Sequence, residues 1–400
     1  METLFTARLL VDGVAPAARP DAMVLVRDGR IVATGHGAAQ AARPEARRVD
    51  LGSGVLAPGL IDCHVHLALS GEPRALYAGM HDPQTRAAVR AAGNMQAALR
   101  AGVTTVRDCG GPADALLALA RAEREGLIVG PRVLSSGAPV TTTGGHCWMF
   151  GLEADGIVDV QRAVRQMCRE GADFIKAMVT GGGSTPGPNF LRAQYSLDEL
   201  TALAADAHRL GRRVTGHAHG MEGIRLALKA GFDGIEHCSM LRESWVDMAY
   251  DHELGLELAG RGMVVCRTQT GGERPPLEEI TEDHPQWGLF VIARSLARDG
   301  VTLIAGTDAG IDPSGFGGLP AAIEALVGLA GLSPARALSA GTSAAAEALG
   351  IAAETGTLEP GRCADMIVLD EDPLTDIRAL RSLRAVYRNG AEVARVSGHT

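Results

Sequence analysis

Two histidine pairs in this 400-residue chain have a spacing that is typical of metal binding. His64 and His66 lie in the stretch PGLIDCHVHL, and His217 and His219 lie in RVTGHAHG. Alternate residues of a β-strand point to the same face, so the two imidazoles of each pair project together. Neutral imidazole is a favoured ligand of zinc-type metals, which makes each pair a candidate half of a metal site. The simpler interpretation is that these rings make only local hydrogen bonds, because such pairs also arise by chance.

Three more residues of ligand type lie within or directly after apolar runs. Lys176 interrupts FIKAMV, His237 ends GIEH, and Asp308 lies in LIAGTDAG. Each has an ordinary structural interpretation: a lysine that extends to solvent, a structural histidine and a turn-forming aspartate. A lysine ammonium would be repelled by a dication, whereas reaction of its neutral amine with carbon dioxide gives a carbamate that resembles a carboxylate. Such an N6-carboxylysine at Lys176 could hold two divalent metals.

The middle of the chain predicts the elements that would bring these residues together. Apolar strand-like segments alternate with Ala-rich amphipathic segments, which is the pattern of βα units around a parallel sheet. C-cap glycines are expected where the predicted helices turn back into strands, at positions 102, 171, 211 and 231. The predicted strands are residues 60–67, 104–109, 132–137, 174–179, 213–218, 234–238, 263–268 and 302–308, and the predicted helices include 83–100, 155–170, 196–210 and 221–230.

Eight strands that alternate with helices predict an α/β fold of the (β/α)8 TIM-barrel type. The catalytic residues of such barrels lie at the C-terminal ends of the strands. The ligand-type residues fall at these positions on predicted strands one, four, five, six and eight, so we expect a single metal centre. A doubly wound sheet is the alternative, but no GxGxxG motif opens a helix after the first strand.

The two ends of the chain differ from its middle, because they contain short apolar runs separated by turn signals. Chain termini often lie close together, so we predict one small β-sandwich domain built from both ends. Its bounds are residues 1–57 plus 352–400, and the barrel takes residues 58–351. The predicted hairpin turns are Asp12-Gly13, Asp28-Gly29 and Asn389-Gly390.

The composition and charge are those of an ordinary folded protein. Hydrophobic residues make up 46% of the chain, and the formal net charge is −9. A negative chain without clustered Lys or Arg is not suited to general binding of nucleic acid or anionic membranes. No run reaches 18 apolar residues, and the N-terminus lacks a secretory signal. The seven cysteines include no CxxC pair and indicate reduced thiols, so we predict a cytoplasmic protein.

Taken together, these motifs resemble the amidohydrolase superfamily, in the branch that is similar to imidazolonepropionase and to Xaa-Pro dipeptidases (prolidases). The resemblance covers essentially the whole chain. It is carried by PGLIDCHVHL, AGVTTVRDCGG, SGAPVTTTGGH, GADFIKAMVTGGG, AHRLGRRVTGHAHG, AGFDGIEHC, GTDAG and LEPGRCADMIVLDEDPL.

The resemblance implies a binuclear site that most often holds zinc. His64, His66 and Asp308 would bind the more buried metal, carboxylated Lys176 would bridge, and a second metal would be bound by His217 and His237. We choose His217 over His219 because it lies at the strand terminus, and we assign His219 a supporting or structural role.

The resemblance says less about contacts with the substrate. His146, in TTTGGHCW, matches a family position near the substrate, and the alternative is a loop histidine that caps the Gly-Gly turn. We also assign substrate contacts to Tyr195 and Arg267. Arg267, in VVCRTQT, stands where relatives would have proline. An arginine can bind a carboxylate through two hydrogen bonds, but a buried unpaired arginine is costly, so we expect an exposed Arg267 paired with a surface Asp or Glu.

The expected mechanism is hydrolysis of an amide. A water that bridges two dications loses a proton near neutral pH and becomes a nucleophile. We expect the exposed metal, aided by His146, to polarise the carbonyl of the substrate. Asp308 would accept the proton of the bridging water and pass it to the leaving nitrogen. The predicted substrate is a small linear amide, such as a dipeptide or an N-acyl amino acid.

Three alternatives differ in chemistry. One is a hydrolase that opens a cyclic amide such as an imidazolone or a hydantoin. A second is a metal-binding scaffold without activity, which the retained Asp308 and Lys176 oppose. A third is a nucleobase deaminase, which would usually carry HxxE on strand five where this chain has HAHG. The native metal and the oligomeric state are not determined by the sequence, and a homo-oligomer stays open.

Overall fold

The computed structural model describes residues 1–72, 75–76, 79, 82–268, 287–311 and 314–395. These residues form an α/β fold. The strands are β1 (Glu2–Leu10), β2 (Arg19–Arg27), β3 (Arg30–Thr34), β4 (Arg47–Asp50), β5 (Val55–Pro58), β6 (Leu60–Val65), β7 (Val103–Asp108), β8 (Arg132–Ser135), β9 (Val140–Thr141), β10 (Leu152–Glu153), β11 (Ile175–Met178), β12 (Val214–Gly220), β13 (Gly234–Leu241), β14 (Val264–Thr268), β15 (Thr302–Gly306), β16 (Met366–Leu369), β17 (Leu383–Arg388) and β18 (Ala391–Arg395). The helices are α1 (His36–Ala41), α2 (Gln84–Arg100), α3 (Ala113–Arg124), α4 (Gly156–Glu170), α5 (Leu197–Arg209), α6 (Met221–Lys229), α7 (His252–Gly260), α8 (Trp287–Arg298), α9 (Leu319–Gly328), α10 (Pro334–Ala340) and α11 (Ser343–Leu349), and Ile377–Arg381 forms a 3-10 turn.

The elements predicted for the middle of the chain are confirmed, with small shifts at their ends. Helix α4 illustrates the physical reason. Its buried residues are spaced three and four apart and form one apolar stripe, namely Val160, Ala163, Val164 and Met167. The helix ends at Gly171, which takes a left-handed φ of 102° and donates its N–H to the Met167 carbonyl. Sequence periodicity and one glycine therefore fix both the buried face and the end of this helix.

Two parallel sheets bring the C-terminal ends of the central strands together. One has the order β6-β7-β8, and the other has the order β10-β9-β11-β12-β13-β14-β15. Backbone hydrogen bonds connect them at both edges: Asp308 N–H donates to His64 O (2.9 Å), and Asp173 N–H donates to Ser135 O (2.8 Å). Because the strands are parallel, the residues that end β6, β11, β12, β13 and β15 lie on the same side of the sheets.

Both ends of the chain enter one mixed sheet. Its order is β18-β17-β16-β5-β1-β2-β3, with β4 beside β1. The two ends meet where β16 pairs antiparallel with β5, for example Ile367 with Ala57. The strand pairing describes one continuous sheet, and the second layer of the predicted sandwich stays a prediction. Residues 396–400 of the predicted terminal domain lie outside the described residues, as does the end of the VVCRTQT motif.

Two of the three predicted hairpin turns are confirmed. Asp28-Gly29 joins β2 to β3 and Asn389-Gly390 joins β17 to β18, each with positive φ at both positions. Asp12-Gly13 was predicted wrongly, because a longer loop separates β1 from β2. There Asp12 Oδ1 accepts the N–H groups of Val14 and Ala15 instead. None of the described helices is long and apolar enough to cross a membrane.

Candidate metal centre

The first group of ligand-type atoms forms a triangle at the ends of β6 and β15. The Nε2 atoms of His64 and His66 are 3.3 Å apart. Asp308 Oδ1 lies 3.4 Å from His64 Nε2 and 3.3 Å from His66 Nε2. His64 and His66 are buried, and the Asp308 side chain is 14% exposed. The structure therefore brings together the three residues that the sequence analysis assigned to one metal.

Hydrogen bonds to the opposite ring nitrogens explain why this triangle suits a cation. His64 Nδ1–H donates to a carboxylate oxygen of Glu236 (2.7 Å), and His66 Nδ1–H donates to the carbonyl of Gly110 (2.7 Å). In the neutral rings both Nε2 atoms then carry lone pairs. Asp308 Oδ1 is buried, and among the described residues it accepts no hydrogen bond of good geometry. Three converging lone pairs repel one another, so a proton or a metal ion has to lie among them.

The second group of ligand-type atoms comes from His217, His219 and His237, whose candidate atoms lie within 4.8 Å of one another. His217 Nε2–H donates to the carbonyl of Gly181 (3.2 Å), which leaves Nδ1 as its acceptor atom. His237 Nδ1 lies 2.7 Å from Thr268 Oγ1, and His219 Nδ1 lies 2.9 Å from Ser239 Oγ. Each ring therefore has one nitrogen held by the protein and one available, which is the usual arrangement of metal-binding histidines.

The two groups are adjacent but differ in their electrostatics, because, although burial opposes the shift, the hydrogen bond and charge of Asp308 raise the pKa of His66. The ring centroids of His64 and His237 are 5.1 Å apart, and those of His217 and His237 are 4.6 Å apart. Burial, followed by the charge of Lys176, lowers the pKa of His64 to about 4. Burial and the neighbouring imidazoles hold the pKa of His217 and of His237 well below the usual value. The rings of His64, His217 and His237 are therefore neutral at physiological pH, the form in which imidazole binds metal.

Lys176 on β11 is 1% exposed and lines the same cavity as both histidine groups. Within the described part of the chain, its amine makes no hydrogen bond and no ion pair. A buried ammonium without a partner is costly. The chain contains 36 Arg and only two Lys. Arginine is therefore its usual cationic residue, and the lysine at this buried position is an exception. The donor set of imidazoles, one carboxylate and one lysine that can become a carbamate fits divalent metal ions.

A buried ion pair beneath the first triangle was missed by the sequence analysis. Glu236, on β13, accepts hydrogen bonds from His64 Nδ1–H (2.7 Å) and Arg107 Nη2–H (2.7 Å), and from Thr215 Oγ1–H (2.5 Å). Although burial opposes the shift, Arg107 and His64 hold the pKa of Glu236 well below its usual value. Glu236 therefore orients the His64 ring as a carboxylate. The available signal was a pair of opposite charges that interrupt the apolar strands VTTVRD and GIEH.

The backbone at the site is unusual. His237, Cys238 and Asp308 have φ values of 68°, 48° and 58°, in a region that residues other than glycine rarely adopt. Such conformations persist only where the surrounding structure holds them, and they concentrate at functional sites. Here they turn the His237 and Asp308 side chains into the cavity at the ends of β13 and β15.

Arg267 is one of the groups that hold this backbone, and it differs from the expectation. The residue is 2% exposed, so the expected exposed arginine paired with a surface acid is wrong. Its Nη1 donates to the carbonyls of His237 and Cys238, and its Nη2 lies 3.5 Å from the Leu289 carbonyl. No carboxylate of the described residues lies within ion-pair distance, and Nε is buried without a partner. Burial lowers the pKa of Arg267.

The two other predicted substrate contacts lie in different places. His146 is 5% exposed and lines the cavity, with its ring 4.5 Å from that of His217. Its Nδ1 lies 2.9 Å from Thr185 Oγ1. A Cβ on Gly182 would lie 2.4 Å from His146 Nε2, so this glycine leaves room for the ring. Tyr195 lies in the hydrophobic core outside the cavity and donates to the Ala154 carbonyl (3.1 Å), which does not support a substrate contact.

The two ligand-type groups, Lys176, His146 and Arg267 line an open cavity of about 290 Å³. Its lining consists of the ligand-type residues together with apolar side chains such as Leu76, Met178 and Ile311. A second cavity of similar size is lined by Arg107 and Glu236 but by none of the histidines of the two groups. The chemistry described above belongs to the first cavity, because only there do free imidazole nitrogens, a carboxylate and a lysine converge among the described residues.

Comparisons with known proteins identify the family of this chain. Residues 55–393 match the model of the Amidohydrolase family. The chain is 32% identical to ochratoxinase of Aspergillus niger over 369 residues, which cover 83% of this chain and 73% of that protein. It is 27% identical to imidazolonepropionase of Deinococcus radiodurans over 93% of this chain and 92% of that protein. It also superposes on a prolidase solved with N-methylphosphonate-L-proline, with a TM-score of 0.86 and 26% identity over 99% of this chain and 100% of that chain. This protein therefore belongs to the amidohydrolase family and is a hydrolase that acts on carbon–nitrogen bonds.

Proposed function

We propose that this protein is a binuclear metal hydrolase that cleaves the amide bond of a dipeptide or an N-acyl amino acid. The observation that carries the proposal is the convergence of three lone pairs, on His64, His66 and Asp308, beside a buried lysine that has no partner among the described residues. His64, His66 and Asp308 would hold one ion, and His217 and His237 the other. Carboxylated Lys176 would bridge the two, and zinc suits these donors best.

The residues of the chain divide the remaining work. When bound, two divalent ions supply an acidified water and polarise a carbonyl oxygen. Asp308 Oδ1 belongs to the triangle, and the other carboxylate oxygen of this 14% exposed side chain can accept a proton from water and return it to the leaving nitrogen. His146 lies next to His217 across the cavity, where its ring can contact the carbonyl of the substrate. Water adds across the C–N bond: the acyl carbon gains the hydroxyl group and the nitrogen gains the proton.

Arg267 favours a linear substrate over a cyclic amide. It is a buried cation that lines the cavity beside His237, with no acid among the described residues as its partner. Its contacts with the His237 and Cys238 carbonyls fix the guanidinium in place. A free carboxylate beside the scissile amide would neutralise this charge and orient the carbonyl. A hydrolase of hydantoin-type or imidazolone-type rings is the second candidate, and it would not need Arg267 to bind a carboxylate.

We also propose the larger organisation that the sequence predicted. The two parallel sheets would be parts of one (β/α)8 barrel that spans residues 58–351. The hydrogen bond from His66 N–H to Ala309 O (2.7 Å) and the bridge between Val65 and Ala309 support closure between β6 and β15. Residues 1–57 and 352–400 would form the composite β-sandwich domain. We also propose a location in the cytoplasm, which the free thiols of the seven cysteines support.

A substrate screen tests this function. Zinc-reconstituted protein is assayed against dipeptides, N-acyl amino acids and cyclic amides, with Asp308→Asn as a variant that keeps the size of the side chain. We expect hydrolysis of linear amides with a free carboxylate, and loss of most activity in Asp308→Asn. Turnover of cyclic amides alone would favour the second candidate. No turnover of any amide by fully metallated protein would contradict the proposal.

A further inference from the structure

Trp245 and Phe190 form an aromatic wall, and Trp245 lines the metal-site cavity. The ring centroids of these residues are 4.4 Å apart, and the Trp245 ring lies 4.8 Å from that of His219. A Cβ on Gly183 would lie 3.1 Å from the Trp245 ring, so the indole packs closely on that backbone. Trp245 is nevertheless 39% exposed. A large apolar side chain that is packed on one side and open to a cavity on the other is a surface prepared for a ligand.

The loop that carries Trp245 is held in place by its own hydrogen bonds. Arg242 Nη2 donates to Asp247 Oδ1 (2.7 Å), and Asp247 N–H lies 3.2 Å from Ser244 Oγ. The loop closes where Leu241 pairs with Met248 in an isolated antiparallel bridge. The position of the indole is therefore set before any substrate binds, which lowers the entropy cost of binding.

The apolar surface continues from the aromatic wall toward Arg267. Met248, Leu289 and Phe290 line the same cavity. The backbone carbonyl of Leu289 lies 3.5 Å from Arg267 Nη2, and Arg267 lines the same cavity. A molecule with its carboxylate near Arg267 would therefore extend its neighbouring side chain over an apolar surface.

We propose that this surface binds the side chain of the amino acid that is released, so the enzyme selects amides of aromatic or large aliphatic α-amino acids. The inference rests on the proposed function, because it takes Arg267 as the site of the α-carboxylate. Trp245 acts as a specificity-determining residue, and Phe190 positions its ring. The acyl group lies in the part of the cavity that His146 lines.

Three amides test whether the aromatic wall contacts the released amino acid or the acyl group of the substrate. N-acetyl-L-phenylalanine and N-acetyl-L-alanine differ only in the released amino acid, whereas N-phenylacetyl-L-alanine carries its ring on the acyl group. With the full-length metallated enzyme, Trp245→Ala should lower kcat/KM for N-acetyl-L-phenylalanine by about tenfold or more. The other two amides should change by less than about threefold, and Trp245→Phe should retain most of the selectivity. Trp148→Ala is the matched control, because Trp148 is 42% exposed but does not line the cavity.

Equal losses on all three amides, or a loss confined to N-phenylacetyl-L-alanine, would overturn the assignment. A binding measurement separates its failure from that of the proposed function. In Trp148→Phe/Trp287→Phe protein, Trp245 is the only tryptophan, and its fluorescence should respond to L-phenylalanine at concentrations at least about tenfold lower than to L-alanine. This response should appear even if none of the amides is hydrolysed, and equal responses to both amino acids would contradict the inference.

Discussion

Replacement of Glu236 by glutamine tests whether the buried ion pair prepares His64 for metal binding. The carboxylate accepts hydrogen bonds from His64 Nδ1–H and Arg107 Nη2–H, each at 2.7 Å. An amide of the same size offers one acceptor oxygen and an NH2 group that only donates. If the oxygen stays with Arg107, the NH2 group faces His64 Nδ1–H. The ring can relieve this donor–donor contact by moving its proton to Nε2, which removes the lone pair that faces Asp308.

Two magnitudes follow from this geometry. Removing one partner of a buried ion pair costs about 3–5 kcal/mol of the free energy of unfolding. Loss of the group that orients a metal-binding histidine typically costs about 10–100-fold in metal affinity or activity. We therefore expect Glu236→Gln to weaken the more buried metal site by about that factor, measured by competition with a chelator of known affinity. Urea denaturation of metal-free protein measures the loss of stability separately.

Asp206→Asn is the matched control. Asp206 is also a buried acid that pairs with arginines, Arg165 and Arg209, but both arginine side chains are more than half exposed on the surface of α4 and α5. Because solvent can hydrate the exposed arginines and Asp206 does not line the metal-site cavity, this variant should lose less stability than Glu236→Gln and no metal affinity. If Glu236→Gln binds both metals with wild-type affinity and turns over at the wild-type rate, the role assigned to Glu236 is wrong.

Three further predictions follow. Lys176→Ala should abolish activity and weaken binding of the second metal, and short carboxylic acids should restore part of the rate. Lys176→Arg should not retain wild-type turnover, since a guanidinium cannot form the carbamate. Arg267→Met should lower kcat/KM for an N-acyl amino acid by about 10–100-fold, because a charged hydrogen bond contributes about 1.5–3 kcal/mol. Hydrolysis of a carboxylate-free amide should be nearly unchanged. Equal effects on both substrates would show that Arg267 does not bind the carboxylate. Removal of metal by a chelator should lower Tm reversibly, because the lone pairs of His64, His66 and Asp308 would then repel, and an unchanged Tm would contradict metal binding by this triangle.

The ligand-type residues were predictable because their positions depend on local rules. A strand pattern that ends in HxH places both imidazoles on one face, and C-cap glycines such as Gly171 mark where each helix returns to a strand. Once the strands are parallel, their ends must lie on one side of the sheet. These rules were enough to bring His64, His66, Lys176 and Asp308 to one cavity.

Residues whose roles depend on distant partners could not be assigned in this way. Glu236 meets Arg107 across 129 positions of sequence, and neither strand alone indicates the pairing. Arg267 was expected at the surface because a buried unpaired charge is costly. Its burial depends on carbonyl groups that are turned toward it by the left-handed backbone of His237 and Cys238, which the sequence pattern did not indicate. Tyr195 follows the glycine-rich loop after β11 but turns into the core, where its hydroxyl reaches Ala154.

The central claim is that Lys176 carries a carbamate between two metal ions, and the chain offers a direct measurement of it. The only other lysine is Lys229, which is exposed on α6, so Lys229→Arg leaves a single lysine without altering the cavity. This variant is loaded with zinc in ¹³C-labelled bicarbonate and examined by carbon NMR together with metal analysis. We predict one carbamate carbon signal and about two zinc ions per chain, both diminished in Lys176→Ala. A fully active enzyme with no carbamate signal and one ion or fewer per chain would contradict the account.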